Sequence, residues 1–210
     1  MDTISTLALS LGAGWASGLN PYLTVLMLGV AGLTGAMTLP PDLQVLQSPW
    51  VLGVAALMYA LNFFADKVPL VDSVNDFIHT FLRVPAGALL AAGAAGQLDP
   101  TVTVIAALVG GFLAAGAHTT KTGLRVMANG SPEPFSNIGL SVLDDILTVG
   151  IVWVAIKYAI VFFVILALGL LVMGWLLPKM IRLVIGLFRR LMGRKADGLP
   201  PPLDKQHARG

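Results

Sequence analysis

Ala16-Ser17-Gly18-Leu19-Asn20-Pro21 lies inside an uncharged run from Leu9 to Gly35. The run is apolar on both sides of this hexapeptide and long enough to cross a bilayer. Its middle, however, holds two helix breakers and an amide. Hydrocarbon offers no water to a freed backbone N–H or C=O, so a break there must be covered by protein or line a wet cavity. Pro21 lacks an amide donor and its ring clashes with the preceding turn. Gly18 lets the backbone bend and lets another helix approach. Interrupted helices of this kind mark binding sites in many transporters.

Composition places the break in a membrane. The 210-residue chain is 56% hydrophobic and 11% charged, with a mean hydropathy of +0.83, whereas soluble domains carry about 25% charged residues. The start, Met1-Asp2-Thr3, has no basic segment ahead of the apolar run, which speaks against a cleaved signal peptide. There are no cysteines, so disulfides, iron–sulfur ligation and a thiol nucleophile are excluded. A net charge of +2 gives no reason to expect nucleic acid.

Working outward, the sequence predicts an all-α polytopic membrane protein of about six spans. Span A, Thr3 to Gly35, is broken at Asn20. Span B is Pro49 to Phe64, with Trp50 and Tyr59 as interface anchors. Span C is Val84 to Gly96, beginning as early as Val74. Span D is Thr101 to Met127, rich in glycine and expected to be the second broken helix. Spans E and F are Gly139 to Tyr158 and Ala159 to Leu177, with no turn residue between them to say whether they are one helix or two. The transmembrane unit thus ends at residue 177. A basic amphipathic helix at 178–194 either lies along the headgroups or continues span F, and 195–210, with Pro200-Pro201-Pro202, reads as a disordered tail.

Basic residues set the expected orientation. Lys67, Arg83, Lys121, Arg125 and the tail fall on one side in a six-span path, and Lys157 alone of the 13 basic residues falls on the other. The positive-inside rule makes the richer side cytoplasmic, with both termini there. Span D also echoes span A: Gly12-Ala13-Gly14-Trp15-Ala16-Ser17-Gly18-Leu19-Asn20 lies over Gly110-Gly111-Phe112-Leu113-Ala114-Ala115-Gly116-Ala117-His118. In a six-span path A and D run oppositely, as in an inverted repeat with a midplane site.

Ionisable groups at membrane depth are costly and usually face a cavity or a partner. On a helix, Asp72, Asp76, His79 and Arg83 share one face, preceded by Asp66 and Lys67. An opposing basic stripe comes from His118, Lys121 and Arg125. Asp144 and Asp145 point about 100° apart on a helix. Asp144 closes a Ser141-x-x-Asp144 pattern that fits a capping box, which leaves Asp145 as the stronger functional candidate. Asn20, Asp66, Asp72, Asp76, His79, His118, Lys121, Asn137, Asp144 and Asp145 are the expected substrate- or ion-binding residues, and Lys67, Arg83 and Arg125 the expected grip on a phosphate or lipid headgroup. Carboxylates such as Asp72, Asp76 and Asp145 with His118 suit a hard divalent metal, but spacing alone does not assemble the ligands. No protease, hydrolase, P-loop or zinc-finger signature occurs, and no cofactor is implied.

Three sets of residues resemble a bacterial multi-spanning family known as domain of unknown function 4126. They are Ala16-Ser17-Gly18-Leu19-Asn20-Pro21-Tyr22-Leu23-Thr24, then Asp66-Lys67-Val68-Pro69-Leu70-Val71-Asp72-Ser73, then His118-Thr119-Thr120-Lys121 with Ser136-Asn137 and Asp144-Asp145. The resemblance covers roughly residues 5 to 175 and implies an inner-membrane protein of unassigned role. The favoured expectation is a small inner-membrane transporter or channel-like carrier with a polar midplane cavity, coupled to protons or cations. A lipid-phosphate flippase or intramembrane lipid-modifying enzyme is the second reading, and a structural or assembly protein the third. Membrane lipids and an ion, solute or lipid are the expected partners. Glycine faces at Gly12, Gly110, Gly111 and Gly116 allow close packing, including a homodimer.

Overall fold

In the computed structural model the chain is all helical. The structure describes residues 1–65, 71–128 and 134–196, with side chains except at 71–80, 126–128, 134–138, 180–181, 183–184 and 187–196. The helices are α1 (Thr3–Leu19), α2 (Pro21–Leu33), α3 (Pro49–Ala65), α4 (Val71–Ala95), α5 (Pro100–Ala128), α6 (Pro134–Lys157) and α7 (Ala159–Ala196), with a short 3₁₀ helix at Pro41–Gln47 before α3. Among the described residues there is no strand. Asp2 caps α1 by accepting the Ser5 N–H at 3.0 Å. The side-chain and backbone hydrogen bonds with Ser5 hold its carboxyl below the usual carboxylate range.

The break at Asn20 is present, and its local chemistry is that of two helix caps joined at one residue. The Asn20 backbone is extended (φ −149°, ψ 97°); its N–H closes α1 on the Ala16 carbonyl, and its side-chain oxygen accepts the Leu23 N–H of α2 at 3.1 Å. Pro21 occupies the first helical position, where its missing N–H costs nothing.

This junction reverses the chain. Thr38, Leu39 and Pro40, a few residues past α2, share a small pocket with Met1 and Thr6 at the start of α1 and with Ala94 and Gln97 at the end of α4. Lys157 at the end of α6 donates to the Ala36 carbonyl at 3.0 Å on the same end. Had α2 continued in the direction of α1, its 13 residues would carry the chain about 20 Å further from Met1. Span A is therefore a helical hairpin with Asn20 at its tip. The expected single broken crossing is corrected: an Asn-Pro cap ends one helix and starts another without fixing the angle between them, and packing chose the return.

Glycines bring α1, α4 and α5 into backbone contact. A Cβ on Gly14 would lie 2.6 Å from the Gly110 Cα, and one on Gly87 would lie 3.1 Å from the carbonyl oxygen of Gly14. Ser10 adds a hydrogen bond to the Ala91 carbonyl at 2.7 Å. Along α1, Gly14 meets Gly110, Gly18 meets Ala114 and the Leu19 carbonyl meets Lys121, so α1 and α5 run parallel. The inverted relation expected of spans A and D is thus not the one observed. The glycines that coincide in the two stretches do not share one contact, since Gly12 faces Ala155 and Phe162 while Gly116 faces Met173. Gly12, Gly110 and Gly116 are used inside the chain, against Ala155, Ala91 and Met173.

Span D is one continuous helix, which corrects the second expected break. The second interruption falls instead at Tyr158, between α6 and α7. Gly12 meets both Ala155 and Phe162, and Ile151 and Ile165 line one cleft further along, so α6 and α7 form a hairpin around Tyr158. Spans E and F are two helices. α7 runs parallel to α1, with Gly169 against the Trp15 ring. Met1 and the far part of α7 consequently stand at opposite ends of the bundle. α7 also runs on through Pro178 to Ala196, so the basic segment continues span F rather than starting afresh.

Among the described residues, three helical segments are long and apolar enough to cross a membrane: Pro100–Arg125, Gly139–Lys157 and Ala159–Lys179. A fourth candidate is the 3₁₀ helix with α3, bent by 68° between them. Outward faces carry large exposed apolar side chains, among them Trp50, Leu57, Leu108, Phe112, Leu171 and Trp175, a surface that water would not tolerate and lipid does.

Candidate functional site

The tip of the α1–α2 hairpin ends inside the bundle, and charged groups converge on it. α1 stops at Leu19, which leaves carbonyls of its last turn unbonded within the helix at the negative end of its dipole. Lys121 of α5 answers this, donating to the Leu19 carbonyl at 3.3 Å. The parallel run of α1 and α5 through the glycine seam is what brings Lys121 to that level.

The same ammonium lies 3.0 Å from Oδ2 of Asp144, and the Arg125 guanidinium lies 3.8 Å from that oxygen. The Lys121 contact is a close ion pair, with Arg125 at longer range. Lys121 and Arg125 are one helical turn apart on α5 and face α6 together. All three residues are buried. Asp144 lies well inside α6, which starts at Pro134, so it is not the helix cap its spacing from Ser141 suggested.

Asp145 points the other way. It accepts from the Asn20 side-chain amide and from the Tyr59 hydroxyl, both at 2.9 Å. Asn20 thus does two things at once: its oxygen caps α2 and its NH₂ ties the hairpin tip to α6. Tyr59, read from the sequence as an interface anchor, is instead a ligand of this carboxylate. No spacing rule connects residues 59 and 145.

Arg83 of α4 is fully buried and donates to Nδ1 of His118 at 2.8 Å. A guanidinium has no acceptor, so Nδ1 must be the unprotonated nitrogen and Nε2 carries the proton. Arg83, expected at the headgroups, is therefore an interior residue. Arg83, His118, Lys121 and Arg125 each engage further groups as well. The side chains of Asp72, Asp76, His79 and Asn137 lie outside the described residues, although their backbones belong to α4 and α6; Asp66 and Lys67 lie outside them altogether. Among the described residues no three histidine or carboxylate side chains converge as metal ligands.

A half-open cleft of about 340 Å³ lies between α1, α5, α6 and α7. Its walls are hydrocarbon, from Trp15, Leu143, Leu147, Ile151, Ile165 and Val172, while Lys121, Arg125 and Asp144 also line it. Asn20 and His118 do not border it. Each of those two residues is paired directly, Asn20 with Asp145 and His118 with Arg83. This cleft itself is apolar with an ionic patch.

An all-helical chain with a lipid-compatible exterior and buried charges at the tip of an interior hairpin is a helical membrane protein. Residues 7–179 match the family model described as domain of unknown function (DUF4126), and the chain belongs to that family. No curated protein and no solved structure matches it.

Proposed function

We propose that the protein is a small transporter of the bacterial inner membrane, working at the tip of the α1–α2 hairpin. One observation carries this reading. Lys121 and Asp144 are a buried ion pair that also lines the wall of a ligand-sized cleft. A purely structural pair would be expected in closed packing, because burying charge is expensive, whereas groups at a binding wall are kept for what they bind. The hairpin supports the reading too, since helix ends inside a membrane are tolerated where they are covered by protein or line a cavity.

In place of six crossings, we propose five, by α3 to α7, with the α1–α2 hairpin entering from the side of Met1. The end of the bundle that holds Lys121, Arg125 and the basic part of α7 is cytoplasmic, because Lys157 is the only lysine or arginine of the described connections at the Met1 end. Asp144 and Asp145 are the groups through which a proton or cation would couple.

The test is flux in proteoliposomes, read with an enclosed pH dye under a potassium diffusion potential. Wild-type protein should dissipate the imposed gradient faster than empty vesicles, and Asp144→Asn and Asp145→Asn should slow it. Equal rates in wild type and both variants would remove the carboxylates from the mechanism. The hydrocarbon walls of the cleft favour a second reading, in which the substrate is lipid-like; flip of a fluorescent phospholipid in the same vesicles tests that.

A further inference from the structure

We infer that the α1–α5–α6–α7 cleft binds a single-chain amphiphile with a carboxylate head, a fatty-acid-like monoanion lying with its tail along Leu147, Ile151 and Ile165. This deepens the transporter reading by naming the substrate class of the same site, and rests on that reading for its role in transport but not for the binding itself.

Three observations lead there. The first is size. About 340 Å³ is at the small end of ligand cavities, which run from about 300 to 1,000 Å³; it takes one chain, and a two-chain phospholipid would leave most of its bulk outside. The second is the wall. From Leu143 through Leu147 to Ile151 on α6, and from Val172 back to Ile165 on α7, the lining is continuous hydrocarbon closed on one side by the Trp15 ring, which rests against Gly169. A polar solute would have nothing to bond along this length, whereas each buried methylene gains about as much here as in any apolar site. The third is charge. The ionic groups among the described lining residues are two cations and one carboxylate. Lys121 and Arg125 already serve Asp144 and other groups. A guanidinium has five N–H donors and an ammonium three, so each serves several acceptors together. A carboxylate head joins this cluster as a second anion between the same two cations, with the planar fork of Arg125 suited to it. A cationic or zwitterionic head would place positive charge against Lys121 and Arg125.

The experiment uses Trp15 as the reporter. Trp50, Trp153 and Trp175 are exposed on outer faces, so a variant with all three replaced by Phe retains Trp15, which lines the cleft. This full-length protein, in detergent, is titrated with 12-bromododecanoate, whose heavy atom quenches indole fluorescence on contact. The control is 12-bromododecanol, of the same chain length without the charge. Saturable quenching by the acid, at least tenfold weaker for the alcohol, is expected. Lys121→Gln should weaken the acid's apparent affinity at least tenfold and leave the alcohol unchanged. Leu147→Phe, which narrows the cleft and leaves its charges in place, should weaken both, and serves should Lys121→Gln fail to fold. Equal, non-saturating quenching by acid and alcohol, or quenching indifferent to Leu147→Phe, would overturn the inference. Tighter saturable quenching by a brominated two-chain phosphatidylglycerol would overturn the single-chain assignment. Specific quenching by the acid with no flux in vesicles would uphold the binding site and reject the transporter.

Discussion

Replacing Lys121 with methionine keeps the unbranched stem, one atom shorter, and removes the charge. Asp144, with 12% of its side chain exposed, then loses the cation 3.0 Å away. Arg125, at 3.8 Å, stays within ion-pair reach and takes up part of the loss. Breaking a buried pair from one side costs about 3–5 kcal/mol, because the other charge is left uncompensated. The Leu19 carbonyl at the end of α1 loses its charged donor as well, a bond of a kind worth about 1.5–3 kcal/mol. With Arg125 offsetting some of this, Lys121→Met should lower stability by about 3 kcal/mol. Asp144→Asn strands the ammonium instead and should cost somewhat less, because Lys121 keeps the Leu19 carbonyl. In the double variant neither charge is orphaned, so it should be more stable than the two single losses added together, by about 2 kcal/mol, within the usual range for contacting residues. The assay is a double-mutant cycle by denaturant unfolding in micelles, followed by helical circular dichroism. Strict additivity, to within about 0.5 kcal/mol, would mean that the two groups do not sense one another and would refute the buried ion pair.

Gly14→Ala should destabilise by about 1–3 kcal/mol, since the new methyl meets backbone of α5 rather than a movable side chain; Gly53→Ala on α3, with open space around it, should be neutral or stabilising by up to about 1 kcal/mol. Comparing the two melting temperatures checks this, and an unharmed Gly14→Ala protein would contradict the seam. Asn20→Ala removes both the cap on Leu23 and the bond to Asp145 and should cost about 1–3 kcal/mol in the same unfolding assay. Because the chain has no cysteine, single cysteines at Asp2, Gln47 and Asp99 can be probed with a membrane-impermeant maleimide. All three should label from one side, and labelling of Asp2 from the side opposite Asp99 would refute the hairpin.

Much of this was legible in the residues. Low charge and high hydropathy identified a membrane protein, and Asn20-Pro21 gave the position of the first break. Burial cost grouped Lys121 and Arg125 into a basic stripe facing an acidic one, and both do meet a carboxylate, but it is Asp144, which the spacing assigns to a cap in favour of Asp145. What could not be read was direction. A cap satisfies orphan N–H and C=O groups within a few residues, and that local chemistry is the same for a kink and for a reversal. The reversal depends on Gly14, Gly18, Gly87 and Gly110 drawing three helices together, and long-range packing leaves no periodic mark. Tyr158 shows the same limit. It separates α6 from α7 with neither glycine nor proline, so composition gave no sign of a turn. Tyr59 was missed because its partner is 86 positions away, and Asp144 was assigned to a helix start because the start at Pro134 lies in a stretch of mixed polarity.

The glycine seam has a mechanical consequence. Where backbones touch, neither helix can roll or slide without collision, because there are no side chains in between to change rotamer and absorb the movement. On the transporter reading proposed above, α1, α4 and α5 would form a stator, and a working stroke would be made by the parts clasped to it more lightly: α2 with α3, hinged at Asn20, and α7, hinged at Tyr158. The cleft lies between that stator and the second of these arms.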